Sequence, residues 1–267
     1  MPEMKDGMLG KGLNLLLALG EHADGAGVSR LAQAAGVPAS TAHRLLNAMI
    51  PPGFVSFEEE TRQYSLGLRV FELSHQVSLV RTLSELALPV MRRMTEVSGE
   101  QALMSVRRDL ALVYLEKVEG RHQLQNNAPV GGHGSLHCSS MGKALLAWLP
   151  EAEMQAVVRR LNLDRRTANT ITDPRQLIQD LHAGRKRGFT TNEEENEAGV
   201  RSVAVPVLDP RGRPVCSICI TAPVFRCTRE ALDSHVPLLR ELVREVEVRL
   251  PRGGAATNSS GGLRNER

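Results

Sequence analysis

Apolar residues recur at helical spacing over much of the chain, and the breaks between them carry turn residues. Residues 9–22 read as a helix with Leu13, Leu16 and Leu17 on one side, followed by a turn at 24–27. In 28–35, Leu31, Ala32 and Ala35 give a short helix one small apolar face. Ser29 is placed to cap it, since its hydroxyl can accept from the free N–H groups of the first turn. Gly36 stands where a helix ends in a left-handed residue. Pro38 cannot continue a helix but can lead into one. Ala42, Leu45, Leu46 and Met49 then form one buried stripe, which predicts a helix over 39–50. Pro51, Pro52 and Gly53 stop it. Residues 54–66 alternate, with Phe54, Val55 and Phe57 before a charged turn and Gln63, Tyr64 and Leu66 after it, which predicts a hairpin.

Further on, 67–80 is helical by period, and 83–97 is a second helical stretch with Leu86, Val90 and Met94 on one face. Strands are predicted at 101–107, 111–118 and 123–126. A glycine-rich turn leads to a helix over 139–148, and 151–161 and 174–187 are also helical. Strands at 200–207 and 215–221 follow, and Thr228 caps a final helix that runs to Leu250. Strands, then helices, then strands predict an antiparallel sheet packed by helices, an α+β arrangement. The domain expectation is 1–66, a linking helix at 67–80, a second domain at 81–250, and a tail at 251–267 too poor in apolar residues to order.

The helix pair at 28–50 is the first stretch that points to chemistry. Opposite its apolar stripe the second helix carries Ser40, Arg44 and Asn47, flanked by Thr41 and His43. Short hydroxyls near a helix N-terminus suit phosphate oxygens, whereas Arg, Asn and His suit base edges. This is the helix-turn-helix pattern, and the hairpin after it makes the winged variant. The partner expected is double-stranded operator DNA. An ordinary helical hairpin with a solvated face, or a docking adaptor that binds no DNA, would share the same pattern.

Charge qualifies this reading. The chain has 267 residues and a formal net charge of +3. Residues 1–66, however, hold five cations (Lys5, Lys11, Arg30, Arg44, Arg62) against seven acids (Glu3, Asp6, Glu21, Asp24, Glu58, Glu59, Glu60). A DNA reader with that balance must gather its cations on one face. Glu58, Glu59 and Glu60 at the wing tip repel phosphate, so the wing is expected to stand off the DNA or to touch it only through Arg62 and Gln63. Aromatic residues are 3% of the chain, too few for a single-strand stacking platform. No apolar run is long enough for a transmembrane helix and the N-terminus lacks a signal-peptide core, so no membrane partner and a cytoplasmic location with reduced thiols are expected.

The richest polar cluster is GGHGSLHCSSMGK, 131–143. A glycine-rich approach to a helix N-terminus leaves backbone N–H groups in a partly positive field that attracts carboxylates and phosphates. Ser139 is the cap, with Ser140 and Met141 in the first turn. It is not a P-loop: His137 stands where that motif needs glycine, and Ala144 replaces the magnesium-binding hydroxyl. His133, His137, Cys138 and Cys219 include donors that zinc accepts, but Cys216 and Cys219 sit in a strand at a spacing that sends them to opposite faces. No metal and no cofactor is expected. A Cys/His-dependent enzyme built on Cys138 or Cys219 with His137 is the competing function. It lacks a nucleophile elbow or an oriented His–acid pair, so no catalytic residue is assigned.

The stretches LGKGLNLLLAL, SRLAQAAGVPASTAHRLLNAM, GFV, YSLG, GEQALMSV, SLHCSSMGKALLAWLP, TANTIT, RKRGFT and AGVRSVAVPV resemble the IclR-type bacterial transcriptional regulators. The resemblance runs from about Leu9 to Leu250, and PxSTxHRLL and HxxxxGKALLA are its most specific parts. It implies a winged-helix DNA-binding domain, a linker helix, a GAF-like domain that binds a small organic acid effector, and a dimer or tetramer of the chain. Such proteins regulate catabolic operons, more often as repressors. The resemblance also implies a pocket from Asn192, Ser202, Cys219 and Thr221, with backbone N–H groups of Ser140 and Met141 and with Asn126 and Gly134 on the loop side. The chain departs from many relatives in having Asn192 for an acid and Ser202 for a cysteine, which suits an acidic ligand.

Overall fold

In the computed structural model, residues 7–22, 24–74, 76, 78–123 and 127–251 are described. The expectations for the 251–267 tail, beyond Pro251, and for Asn126 lie outside the described residues. The chain forms two compact units that divide between Ser78 and Leu79.

The first unit contains α1 (Met8–Gly20), α2 (Val28–Ala35), α3 (Ala39–Met49), β1 (Val55–Glu58), β2 (Gln63–Leu66) and α4 (Leu68–Ser74). Leu15, Leu19, Leu31, Ala42, Leu46, Val55 and Tyr64 make its core. Gly36 takes the left-handed conformation (φ 65°) that ends α2, as its position predicts. Two expectations need correction. Ser29 does not cap α2: the N-cap is Gly27, and Ser29 lies one residue inside the helix. The buried side of α1 is Leu15, Ala18 and Leu19, whereas Leu13 and Leu17 are exposed and Leu16 only packs against the core from its edge. Leucines stand on both sides of this helix, so period alone selects the wrong stripe.

The second unit begins with α5 (Ser78–Ser98) and the strands β3 (Gln101–Arg108), β4 (Ala111–Val118) and β5 (His133–Gly134). Three helices follow, α6 (Ser140–Ala147), α7 (Glu151–Arg160) and α8 (Pro174–Arg187). Then come β6 (Thr190–Glu193), β7 (Val200–Leu208), β8 (Pro214–Pro223), α9 (Arg229–Ser234) and α10 (Val236–Arg249). One sheet holds all six of these strands in the order β5-β4-β3-β8-β7-β6, and its neighbours pair antiparallel. One face packs Met104, Val203, Val205, Ile218 and Ile220 against α5 and α10. The other packs Leu103, Leu112, Tyr114, Ala204 and Cys219 against α6, α7 and α8. Cys216 and Cys219 fall in the two different clusters, as strand alternation requires.

Here too the sequence reading needs amendment. The single helix expected over 67–80 is α4 and the start of α5, and α5 begins at Ser78, five residues before the stretch predicted from Leu83. Its Val90 and Met94 are buried in the core of its own unit. The final helix is two: Thr228 caps α9, accepting from Ala231 N at 3.2 Å, and α10 restarts after His235 with Pro237 in its first turn. Gln123, the described residue of the third predicted strand, lies in a bend; the edge strand is β5 instead. The strand β6, TTNE, carries no apolar residue and was not predicted.

Candidate DNA interface and effector site

On α3 the apolar stripe faces inward and leaves a polar face outward. Ala42, Leu45 and Leu46 are buried, Ser40, His43, Arg44 and Asn47 are exposed, and Thr41 is half-buried. Asn47 Nδ2 lies 3.3 Å from the His43 ring nitrogens, and Tyr64 of the wing donates its hydroxyl to Asn47 Oδ1 at 3.2 Å. Tyr64 is 2% exposed, and burial raises its pKa, so it remains a donor. Among the described residues the Arg44 guanidinium hydrogen-bonds only to the Met8 sulfur, at 3.6 Å, a weak acceptor that a guanine edge or phosphate would displace. Arg62 is exposed at the hairpin turn in a left-handed conformation (φ 53°). Tyr64 is the member that sequence reasoning did not single out. Alternation places it in the hairpin; its ring is core, but its hydroxyl reaches the reading face.

In the second unit the strand register assembles a polar row. Asn192 of β6 stands opposite Ser202 of β7, Ser202 opposite Thr221 of β8, and Thr221 opposite Gln101 of β3. The N-terminus of α6 meets this row: Ser140 Oγ lies 2.6 Å from Ser202 Oγ, and both residues are buried. Ser139 caps α6 by accepting from Gly142 N at 3.0 Å. The N–H groups of Ser140 and Met141, in the first turn, have no intrahelical acceptor. Asn192 Oδ1 accepts from Glu195 N (2.8 Å) and Asn196 N (3.3 Å), so its oxygen holds the β6–β7 loop and its amide Nδ2 is the group left for a ligand. Cys219 lies two residues from Thr221 along β8, opposite Ala204, with its thiol pKa pushed up to about 12 by burial. A cavity of about 210 Å³ opens at the end of the row, with Gln101, Thr221, Glu197 and Gly199 in its wall. Gly134 stands apart on β5, where an added Cβ would lie 2.8 Å from the Tyr114 hydroxyl.

A buried ion cluster fixes α6 beside this row. Lys143 is 1% exposed, and its Nζ lies 2.6 Å from Glu195 Oε1 and 2.8 Å from Asp180 Oδ2. Burial raises the Glu195 pKa, with Lys143 opposing it. This lysine is therefore bound to carboxylates on β6–β7 and α8 and does not reach for a phosphate.

The competing enzyme finds no activated nucleophile here. Burial raises the pKa of Cys138 and lowers that of His137, so the thiol stays protonated and the imidazole neutral. Both His137 nitrogens are bonded, to the Ser135 hydroxyl (2.8 Å) and the Asp164 carbonyl (3.2 Å). Among the described residues no three His, Cys, Asp or Glu side chains group as metal ligands, and no helix is long and apolar enough to cross a membrane.

A winged helix-turn-helix with an exposed polar reading face, in one chain with an α+β unit whose polar row meets a helix N-terminus, defines a ligand-binding transcriptional regulator. The chain belongs to the IclR family. Residues 75–248 match the family described as bacterial transcriptional regulator IclR C-terminal, and residues 8–59 match the IclR helix-turn-helix domain. It is 32% identical over 240 residues to the transcriptional repressor IclR of Escherichia coli (strain K12), covering 89% of this chain and 88% of that one. It is 30% identical over 244 residues to the regulator KdgR of the same organism, covering 90% and 91%. An IclR homolog from Microbacterium hydrocarbonoxydans, solved in complex with 4-hydroxybenzoate, superposes with a TM-score of 0.81 at 27% identity over 91% of this chain and 98% of that one. These families and relatives are transcriptional regulators, not enzymes.

Proposed function

We propose that this chain represses a catabolic operon and releases it when a small organic acid binds in the C-terminal unit. The observation that carries this reading is the meeting of the α6 N-terminus with the row Asn192–Ser202–Thr221. A carboxylate there accepts from the Ser140 and Met141 N–H groups and from the surrounding hydroxyls and amide, and such charge-assisted bonds are stronger than neutral ones. The repressors among its relatives and the acid bound to the Microbacterium homolog support the same class of control.

We assign DNA reading to 1–66 through Ser40, Thr41, His43, Arg44, Asn47 and Arg62, the link to 67–80, and effector binding to 81–250. The active species is a homodimer or a dimer of dimers on a near-palindromic operator, since one recognition helix reads only a few base pairs. Leu9, Leu13 and Leu17 recur at four-residue spacing and are exposed on α1, which gives an apolar stripe for self-association. An acid changes DNA affinity only by favouring one arrangement of the oligomer over another.

The test is fluorescence anisotropy of DNA from upstream of the chain's own gene, titrated with full-length protein with and without small acids. Salt-dependent binding that an acid weakens supports the proposal. Sequence-independent binding, or binding that no acid alters, overturns it.

A further inference from the structure

Thr221 stands in the polar row and also in the wall of the cavity of about 210 Å³. Opposite it on β3 is Gln101, buried and in the same wall. Leu103 and Cys219 pack against α6, α7 and α8, so Gln101 and Thr221, two residues away on the same strands, lie on that face of the sheet. By the same alternation Val200, two residues from Ser202, and Pro223, two from Thr221, lie on it as well, opposite one another in the cavity wall. A carboxylate at Ser202 is thus one strand spacing, about 4.8 Å, from the cavity.

Two ties fix the frame of this cavity. The β6–β7 loop is joined to the end of β8 by Val224 N, which donates to Gly199 O at 2.9 Å, and is braced by Gly199 N, which donates to Glu194 Oε2 at 2.8 Å. The turn after β8 is joined to the start of β3 by a bidentate ion pair, in which Arg226 Nε donates to Glu100 Oε1 at 2.7 Å and Arg226 Nη2 to Glu100 Oε2 at 2.8 Å. The wall is apolar at Val200, Ala222 and Pro223 and carries uncharged polar groups at Gln101 and Thr221. Among the described residues its charged members are two acids, Glu100 and Glu197, and one cation, Arg226, which Glu100 already engages. The excess charge is therefore negative and stands on Glu197, exposed on the β6–β7 loop.

We infer that this cavity receives the far end of the effector, and that it selects acids whose far end is uncharged over diacids of the same length. The inference rests on the proposed effector site, which would hold the carboxylate. Acetate at Ser202 ends short of the cavity, whereas the tail of a longer acid enters it. Apolar atoms that leave water for the walls at Val200 and Pro223 gain affinity in proportion to the area they bury. A second carboxylate there leaves water beside an excess acid, with the cation of the wall already bound to Glu100, and both desolvation and like charge oppose it.

Isothermal titration of the full chain with acetate, butyrate, hexanoate and adipate tests this. Affinity is expected to rise roughly threefold for each methylene that enters the cavity. Hexanoate should bind at least about tenfold tighter than adipate, the dicarboxylate of equal length, because like-charge juxtaposition is costly. Val200→Phe fills the space and should bring the hexanoate-to-acetate ratio toward one. Glu197→Lys reverses the excess charge and should narrow the hexanoate-to-adipate ratio several-fold. It changes an exposed side chain, so the test stays decisive should Val200→Phe fail to fold. Hexanoate no tighter than acetate, adipate as tight as hexanoate, or ratios that survive both substitutions overturn the role of the cavity while leaving the effector site standing. Binding of none of the four acids overturns the acid-effector reading itself, and the role of the cavity with it.

Discussion

The hydroxyl of Tyr64, on the wing, donates to the amide oxygen of Asn47, on the recognition helix, at 3.2 Å. The wing thereby fixes which way the Asn47 amide points, and the His43 ring on its other side completes the setting. Asparagine reads adenine with both ends of its amide, so a flip would exchange donor for acceptor at the base edge. Tyr64→Phe keeps the buried ring and removes the bond. The expected result is a loss of about 0.5–1.5 kcal/mol in operator binding with little change toward scrambled DNA. Anisotropy titrations on both DNAs check it, and an equal loss on both would mean that Tyr64 supports only the fold.

Among the described residues Arg44 has only the Met8 sulfur as a partner, so little is given up when it meets a base. Arg44→Ala should cost about 1–3 kcal/mol of specific binding if it reads a guanine. Competition with operators altered one base pair at a time will show relaxed preference at one position. A uniform loss at every position, with a smaller salt slope, would assign Arg44 to phosphate instead.

Much of this fold can be read from the chain because its boundaries carry strong local chemistry. Gly36 and Pro38 bracket the turn before α3, and Asp173, Pro174 and Gly188 bracket α8, whose predicted limits match the structure. Local chemistry also marks the α6 N-terminus, through Ser139. What escapes is what depends on distant partners. Thr190 of β6 is buried because its hydroxyl donates to Ser140 O, 50 residues away, so the strand shows no apolar alternation. Lys143 finds Glu195 52 residues along the chain, and nothing near it in sequence announces a buried cation. The row Asn192–Ser202–Thr221–Gln101 exists only through register. Its first three members were accessible by family resemblance, and Gln101 by neither route.

The Lys143 cluster makes a sharp stability prediction. Removing one partner of a buried pair strands the other in a low dielectric, at about 3–5 kcal/mol. Lys143→Met should lower the stability of the second unit by that order, measured by urea unfolding. Lys143→Met with Glu195→Gln should recover part of the loss, because the stranded charge is then gone. A single variant as stable as the unaltered chain would show that solvent reaches Glu195.

His137 predicts a pH dependence. Burial lowers its pKa from the usual 6.5, and its two bonds hold the neutral ring between Ser135 and Asp164. In the unfolded chain the ring takes up a proton near 6.5, whereas the folded chain resists it until lower pH. The unfolded state then binds more protons in that window, so stability falls as pH drops from 6.5 toward the folded value. Urea midpoints at about pH 7.5 and about pH 5.5 should differ more for the unaltered chain than for His137→Gln. An unchanged difference would place the titration elsewhere.

The pair Ser140 and Ser202 makes the last prediction. Their hydroxyls lie 2.6 Å apart with Thr221 opposite Ser202, so an incoming carboxylate enters an existing network of donors. Ser202→Ala with Thr221→Val removes both hydroxyls at nearly constant volume and leaves the Ser140 and Met141 N–H groups without lateral support. Small acids should then give little or no thermal stabilisation, and the acid-dependent change in operator affinity should disappear. Circular dichroism establishes that the double variant is folded. If it is folded and still answers the acids that the unaltered chain answers, the effector does not bind at this row.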